Sequence, residues 1–83
     1  MLRMEIKTKL SPEEIVSRAL EFFGPGGYGL EVKDQSPTCV YFEGGGGGVD
    51  VATCKEGEAT SVELVSKEWD YQVNEFLGKL PRV

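Results

Sequence analysis

The stretch Leu2-Arg3-Met4-Glu5-Ile6-Lys7-Thr8-Lys9-Leu10-Ser11-Pro12-Glu13-Glu14-Ile15-Val16-Ser17-Arg18-Ala19-Leu20-Glu21-Phe22-Phe23 changes its hydrophobic period halfway. Up to Leu10 it alternates. Leu2, Met4, Ile6, Thr8 and Leu10 point one way; Arg3, Glu5, Lys7 and Lys9 point the other. This is a strand with one buried and one wet face. From Ser11 onward the period is helical. Ser11 is a candidate N-cap, Pro12 suits the first turn, and Glu14 stands at capping-box spacing. Ile15, Val16, Ala19, Leu20 and Phe23 make one apolar stripe, and Gly24-Pro25 stops the helix.

The remaining chain supplies four short strands and a second helix. Leu30 to Lys33 is a strand, and Asp34 to Pro37 a turn. Thr38 to Glu43, a glycine loop at Gly44 to Gly48, and Val49 to Lys55 form a hairpin. After a turn at Glu56-Gly57-Glu58, Ala59 to Val65 is the last strand. Ser66 is placed to cap a helix whose apolar side is Trp69, Val73, Phe76, Leu77 and Leu80, ended by Pro81. Two helices with single apolar stripes need one sheet to lie on. The expected fold is α+β: one domain over residues 1–83, with an antiparallel sheet in β-α-β-β-β-β-α order and both helices on one face.

Composition narrows the function classes. A chain of 83 residues builds only a thin core, so a deep enclosed cleft is hard to form. Fourteen acids against nine bases give a net charge of −5, which argues against nucleic-acid binding. There is no histidine, and so no imidazole base or zinc ligand, which makes an enzyme unattractive. The longest apolar run, Cys39-Val40-Tyr41-Phe42, is far from the roughly 20 residues of a membrane span. Met1 to Glu5 lacks the apolar stretch of a secretory signal, so the expected location is the cytoplasm, with free thiols.

Two glycine tracts invite a phosphate reading. Gly24-Pro25-Gly26-Gly27-Tyr28-Gly29 spells G-x-G-x-x-G, but it follows a helix and precedes a strand, the reverse of the dinucleotide motif. A turn is the better reading, with Tyr28 seating the loop on the core. Gly44 to Gly48 lies between Glu43 and Asp50, which repel anions, and no P-loop lysine follows. It reads as a mobile hairpin loop, or as a flap over a groove.

Pleat alternation puts Val40, Phe42, Val49 and Val51 on the core side and Cys39, Tyr41, Ala52 and Cys54 on the other. A symmetric hairpin sets Cys39 opposite Cys54 and Tyr41 opposite Ala52. Glu43, Asp50 and Glu63 are the acids near the thiols. With no histidine in the chain and Lys55 pointing to the other face from Cys54, the two cysteines read as small apolar side chains, and neither a metal site nor a cofactor is expected. With both helices on one face, the open face carries Cys39, Tyr41, Ala52, Cys54 and Val65, the signature of an interface. Arg3, Lys7 and Lys9 on the first strand guard it against unwanted pairing. Tyr71, Asp70 and Asn74 lie off the last helix's apolar stripe, on a solvated face.

Thr60-Ser61-Val62-Glu63-Leu64-Val65, then Trp69-Asp70 and Phe76-Leu77, resembles the end of a helix-grip protein. The opening strand followed by Ser11-Pro12-Glu13-Glu14-Ile15-Val16 is similar to its start. In that superfamily of lipid-transfer and polyketide-cyclase-like proteins, a curved sheet grips a C-terminal helix. The resemblance implies a groove for a small apolar ligand, lined here by Val62, Leu64, Val73, Phe76 and Leu77; no catalytic residue carries over. The expected function is therefore a non-enzymatic binding or assembly module, a homodimer through its open sheet face. The alternative is a small apolar-ligand-binding protein.

Overall fold

In the computed structural model, which describes residues 1–82, the elements follow the expected order. They are β1 (Leu2–Thr8), α1 (Pro12–Phe23), β2 (Glu31–Gln35), β3 (Cys39–Gly44), β4 (Gly47–Glu56), β5 (Ala59–Lys67) and α2 (Asp70–Gly78). The five strands form one antiparallel sheet in the order β1-β5-β4-β3-β2. β2 to β5 are a meander of neighbours. β1 joins at the far edge beside β5, so α1 must carry the chain across the whole sheet to reach β2.

Both helices lie on one face. The Phe23 ring of α1 is 5.6 Å from Phe42 of β3 and 5.3 Å from Phe76 of α2. Ile15, Ala19, Phe23, Val40, Phe42, Val49, Val51, Val62, Leu64 and Val73 are buried between these layers. The registers explain why. Met4, Leu64, Val51 and Val40 lie in one row across four strands, and Ile6 and Val62 in the next. Every member of these rows shares the side that the helices cover.

The first helix starts and stops as its sequence dictates. The Ser11 hydroxyl accepts the Glu14 N–H at 3.2 Å. The Glu14 carboxylate meanwhile lies 3.7 Å from Arg18, one turn on. At the other end, the glycine loop satisfies the terminal carbonyls. Gly24 N–H donates to Leu20, Tyr28 to Phe22, Leu30 to Phe23, and Gly27 and Gly29 both donate to Gly24. Gly27 has no room for a side chain, since a Cβ would run into the Phe22 carbonyl. Tyr28 stacks edge-on against Phe22 and Trp69 and donates its hydroxyl to Glu75 at 2.6 Å.

Several expected boundaries move. β2 runs on to Gln35, through the expected turn at Asp34. A bulge between Val32 and Asp34 adds Lys33 and puts Asp34 opposite Tyr41. The hairpin between β3 and β4 is not a five-residue loop. Gly44 pairs with Gly47, and only Gly45 and Gly46 turn, both at positive φ (58° and 83°), the requirement of a type I′ turn. Ser66 belongs to β5 rather than to a helix; its hydroxyl accepts the Trp69 N–H, and α2 begins at Asp70. Between them Glu68 takes φ 70°, a left-handed conformation that is strained for a residue with a side chain. No described helix is long and apolar enough to cross a membrane.

Candidate functional site

The site grows from the face the helices leave open. The row through its centre reads Arg3, Val65, Asp50, Tyr41 and Asp34 from β1 to β2. Toward the glycine turn follow Lys67, Gly48, Glu43 and Glu31. In the other direction lie Glu5, Glu63, Ala52 and Cys39, then Lys7, Ser61 and Cys54. Cys39, Tyr41, Ala52 and Val65 are half-buried and Cys54 is exposed. All five residues expected on this face therefore share it, on three adjacent strands.

Their pairing differs from the expected one. Cys39 faces Ala52, Tyr41 faces Asp50, and Cys54 faces Ser61. The tight turn at Gly45-Gly46 draws Gly44, Gly47 and Gly48 into the strands and shifts the register by two residues. A shift of two preserves the face but separates the cysteines, so Cys39 and Cys54 are not cross-strand partners. Among the described residues no group of three Cys, Asp or Glu side chains converges as a metal site.

The glycines are fitted to their neighbours. Trp69 donates its indole N–H to the Gly44 carbonyl at 2.9 Å, and its ring sits 3.0 Å from where a Gly45 Cβ would be. A Cβ on Gly47 would collide with the Lys67 carbonyl, and one on Gly48 would meet the Phe42 carbonyl at 2.7 Å and the Tyr41 hydroxyl at 3.0 Å. Tyr41 thus lies over Gly48 and covers backbone that no side chain could cover from within. This tract is a seat for two aromatic residues, so the expected mobile loop or flap gives way to a packed turn.

The charges on the open face are partly paired. Arg3 holds Glu63 at 2.7 Å, Lys7 holds Glu56 at 2.8 Å, and Ser61 donates to Glu5 at 2.7 Å. Lys33 lies 3.1 Å from Glu31. The Tyr41 hydroxyl donates to Glu43 at 3.1 Å, which raises the tyrosine's pKa, with burial adding to the effect. Asp50 sits between Val65 and Tyr41. Burial raises its pKa above the ordinary 3.8, and the negative charges of Glu63 and Asp34 push the same way. Two open hollows meet at Tyr41 and Asp50. One of about 650 Å³ extends toward Glu43, Gly46 and Lys67; one of about 350 Å³ extends toward Asp34, Ser36 and Cys39.

No protein-family model matches this chain, and no curated protein does.

The residues implied by the helix-grip resemblance lie elsewhere. Val62, Leu64, Val73, Phe76 and Leu77 are each 0–2% exposed and fill the space between α2 and the sheet as part of the core. Phe76 also borders a hollow of about 360 Å³ between the helices, with Phe22 and Leu80. Asp50, one of the acids that the sequence sets near the thiols, does lie on the open face, beside Tyr41. Sequence reasoning missed Asp34, which the bulge at Lys33 hid.

Proposed function

We propose that this chain is a non-enzymatic assembly module of the cytoplasm that pairs with a second copy of itself through the open face of its sheet. The observation that carries the reading is the grouping of Tyr41, Cys39, Ala52 and Val65, half-buried on neighbouring strands around Asp50, with most of the charged side chains on the strands and rows outside them. Association surfaces gather apolar and aromatic side chains toward the centre and polar ones toward the rim. A five-stranded sheet covered on one side only gives a small chain a thin core, and a second copy thickens it.

Native mass spectrometry or sedimentation at micromolar concentration tests the reading. The expected result is a species of twice 9.1 kDa. Val65→Glu, which sets a charge in the apolar centre, is expected to return the monomer with its circular dichroism unchanged. A wild-type protein that stays monomeric at tens of micromolar overturns the reading.

A further inference from the structure

The open face is electrically lopsided about β4. On one side of that strand β1 and β5 carry three cations, Arg3, Lys7 and Lys67, against two acids, Glu5 and Glu63, of which Glu63 is paired with Arg3. On the other side β3 and β2 bring Glu43, Asp34 and Glu31, offset only by Lys33 beside Glu31. The apolar residues are spread about the same line, with Val65 one strand to one side and Tyr41 one strand to the other, both in the row of Asp50.

In a two-fold pair a residue that touches a second site is touched by it in return, so the face must be complementary to itself. Facing sheets pack about 10 Å apart with strands nearly aligned. A two-fold axis lying between them can run along the strands or across them. An axis across the strands stacks each strand on its own copy, and so brings the acids of β2 and β3, Glu31, Asp34 and Glu43, against those of the second copy. An axis along β4 exchanges β5 with β3 and β1 with β2. Val65 then lies over Tyr41 of the other copy, Lys67 over Glu43, and Arg3 over Asp34, each contact made twice. Like charges brought together across an interface oppose binding, while opposite ones fix its register.

Resting on the assembly reading above, we infer that the two copies pair face to face about a two-fold axis running along β4, with Val65 on Tyr41 at the centre and Arg3 on Asp34 at the edges. Asp50, Ala52, Cys54 and Glu56 of β4 meet their own copies on the axis, while Gly48 lies under Tyr41. Ala52 is small enough for close approach, and Cys54 is exposed beside it. The like-charge contacts of Asp50 and Glu56 with their own copies oppose the arrangement, that of Glu56 less because Lys7 is paired with it.

The native thiols report the axis. Cys54 faces Cys54 across roughly one sheet spacing of about 10 Å. Cys39 lies a strand off the axis, so the two copies of Cys39 are separated by two further strand spacings, roughly 10 Å sideways. A bis-maleimide of about 10 Å span should therefore join Cys39→Ser chains through Cys54 and leave Cys54→Ser chains unlinked. In parallel, Arg3→Glu and Asp34→Lys should each weaken the dimer about tenfold, and the double variant should recover it. A dimer that links through Cys39 instead, or whose double variant stays as weak as the singles, overturns this axis and leaves self-association standing. A protein that is monomeric throughout overturns the pairing itself.

Discussion

The covered and open faces of the sheet are made from alternate residues of the same strands, yet they obey different rules. On β4, Val49 and Val51 are fully buried, while Asp50, Ala52 and Cys54 between and beyond them look outward. On β3, Val40 and Phe42 are core, and Cys39 and Tyr41 are half-buried. The covered side is mostly aliphatic and aromatic, with Thr8, Thr60 and Ser66 as buried polar members. The open side mixes thiols, an aromatic ring, acids and paired cations. The fold itself constrains the first set tightly through packing. It asks little of the second, and the pairing proposed above rests on the apolar residues there.

The largest test of that contrast compares neighbours. Phe42→Ala empties a fully buried site that packs on Phe23 and is expected to cost about 3–5 kcal/mol in urea unfolding. Tyr41→Ala, one residue away, is expected to cost under about 1 kcal/mol, as for other substitutions outside the core. Equal losses would erase the distinction between the faces.

A smaller effect lies within the covered face. Thr60 is fully buried opposite Thr8, and its hydroxyl finds no partner. Thr60→Val keeps the shape and removes the unsatisfied group, so it should raise stability by roughly 1 kcal/mol. A loss of stability would mean that the hydroxyl contributes to the fold.

The subtlest test is on the open face. Asp50, flanked by Val65 and Tyr41, is penalised when charged by burial and by Glu63 and Asp34. Its folded pKa lies above its unfolded one, so the native state binds the proton more readily. Stability from this group is therefore present at low pH and is lost as pH rises through the folded pKa. Asp50→Asn should be more stable than the wild type at pH 7, and the gap should shrink toward pH 3.8, the ordinary value of the group. Urea midpoints at the two pH values check it; a variant less stable at pH 7 would show that the charge is favoured in the folded chain.

Much of this architecture is legible in the sequence. The alternation from Leu2 to Thr8 and the Ser11 cap announce a strand and a helix through purely local rules. The open-face set follows from parity alone. Register does not. Five consecutive glycines offer several equivalent places to turn, and the choice of Gly45-Gly46 is made by distant partners: Trp69 on Gly44 and Gly45, and Lys67 beside Gly47. The bulge at Lys33 likewise leaves no local mark, and it is what brings Asp34 beside Tyr41. The entry to α2 was misread because Ser66 looks like a cap, whereas the chain uses a strained Glu68 to aim Trp69 at the glycine turn.

The position of β1 sets an order of events. It pairs with β5, from Leu2 beside Ser66 to Thr8 beside Thr60, and bridges to Arg82 at Thr8, while β2 to β5 can zip together through short turns. On a ribosome, the first strand to emerge is therefore the last to find its partner, because that partner is synthesised more than half a chain later. Contacts so far apart in sequence form slowly, and an idle strand is open to wrong company in the interval. Arg3, Glu5 and Lys7, alternating along that strand, keep it soluble while it waits.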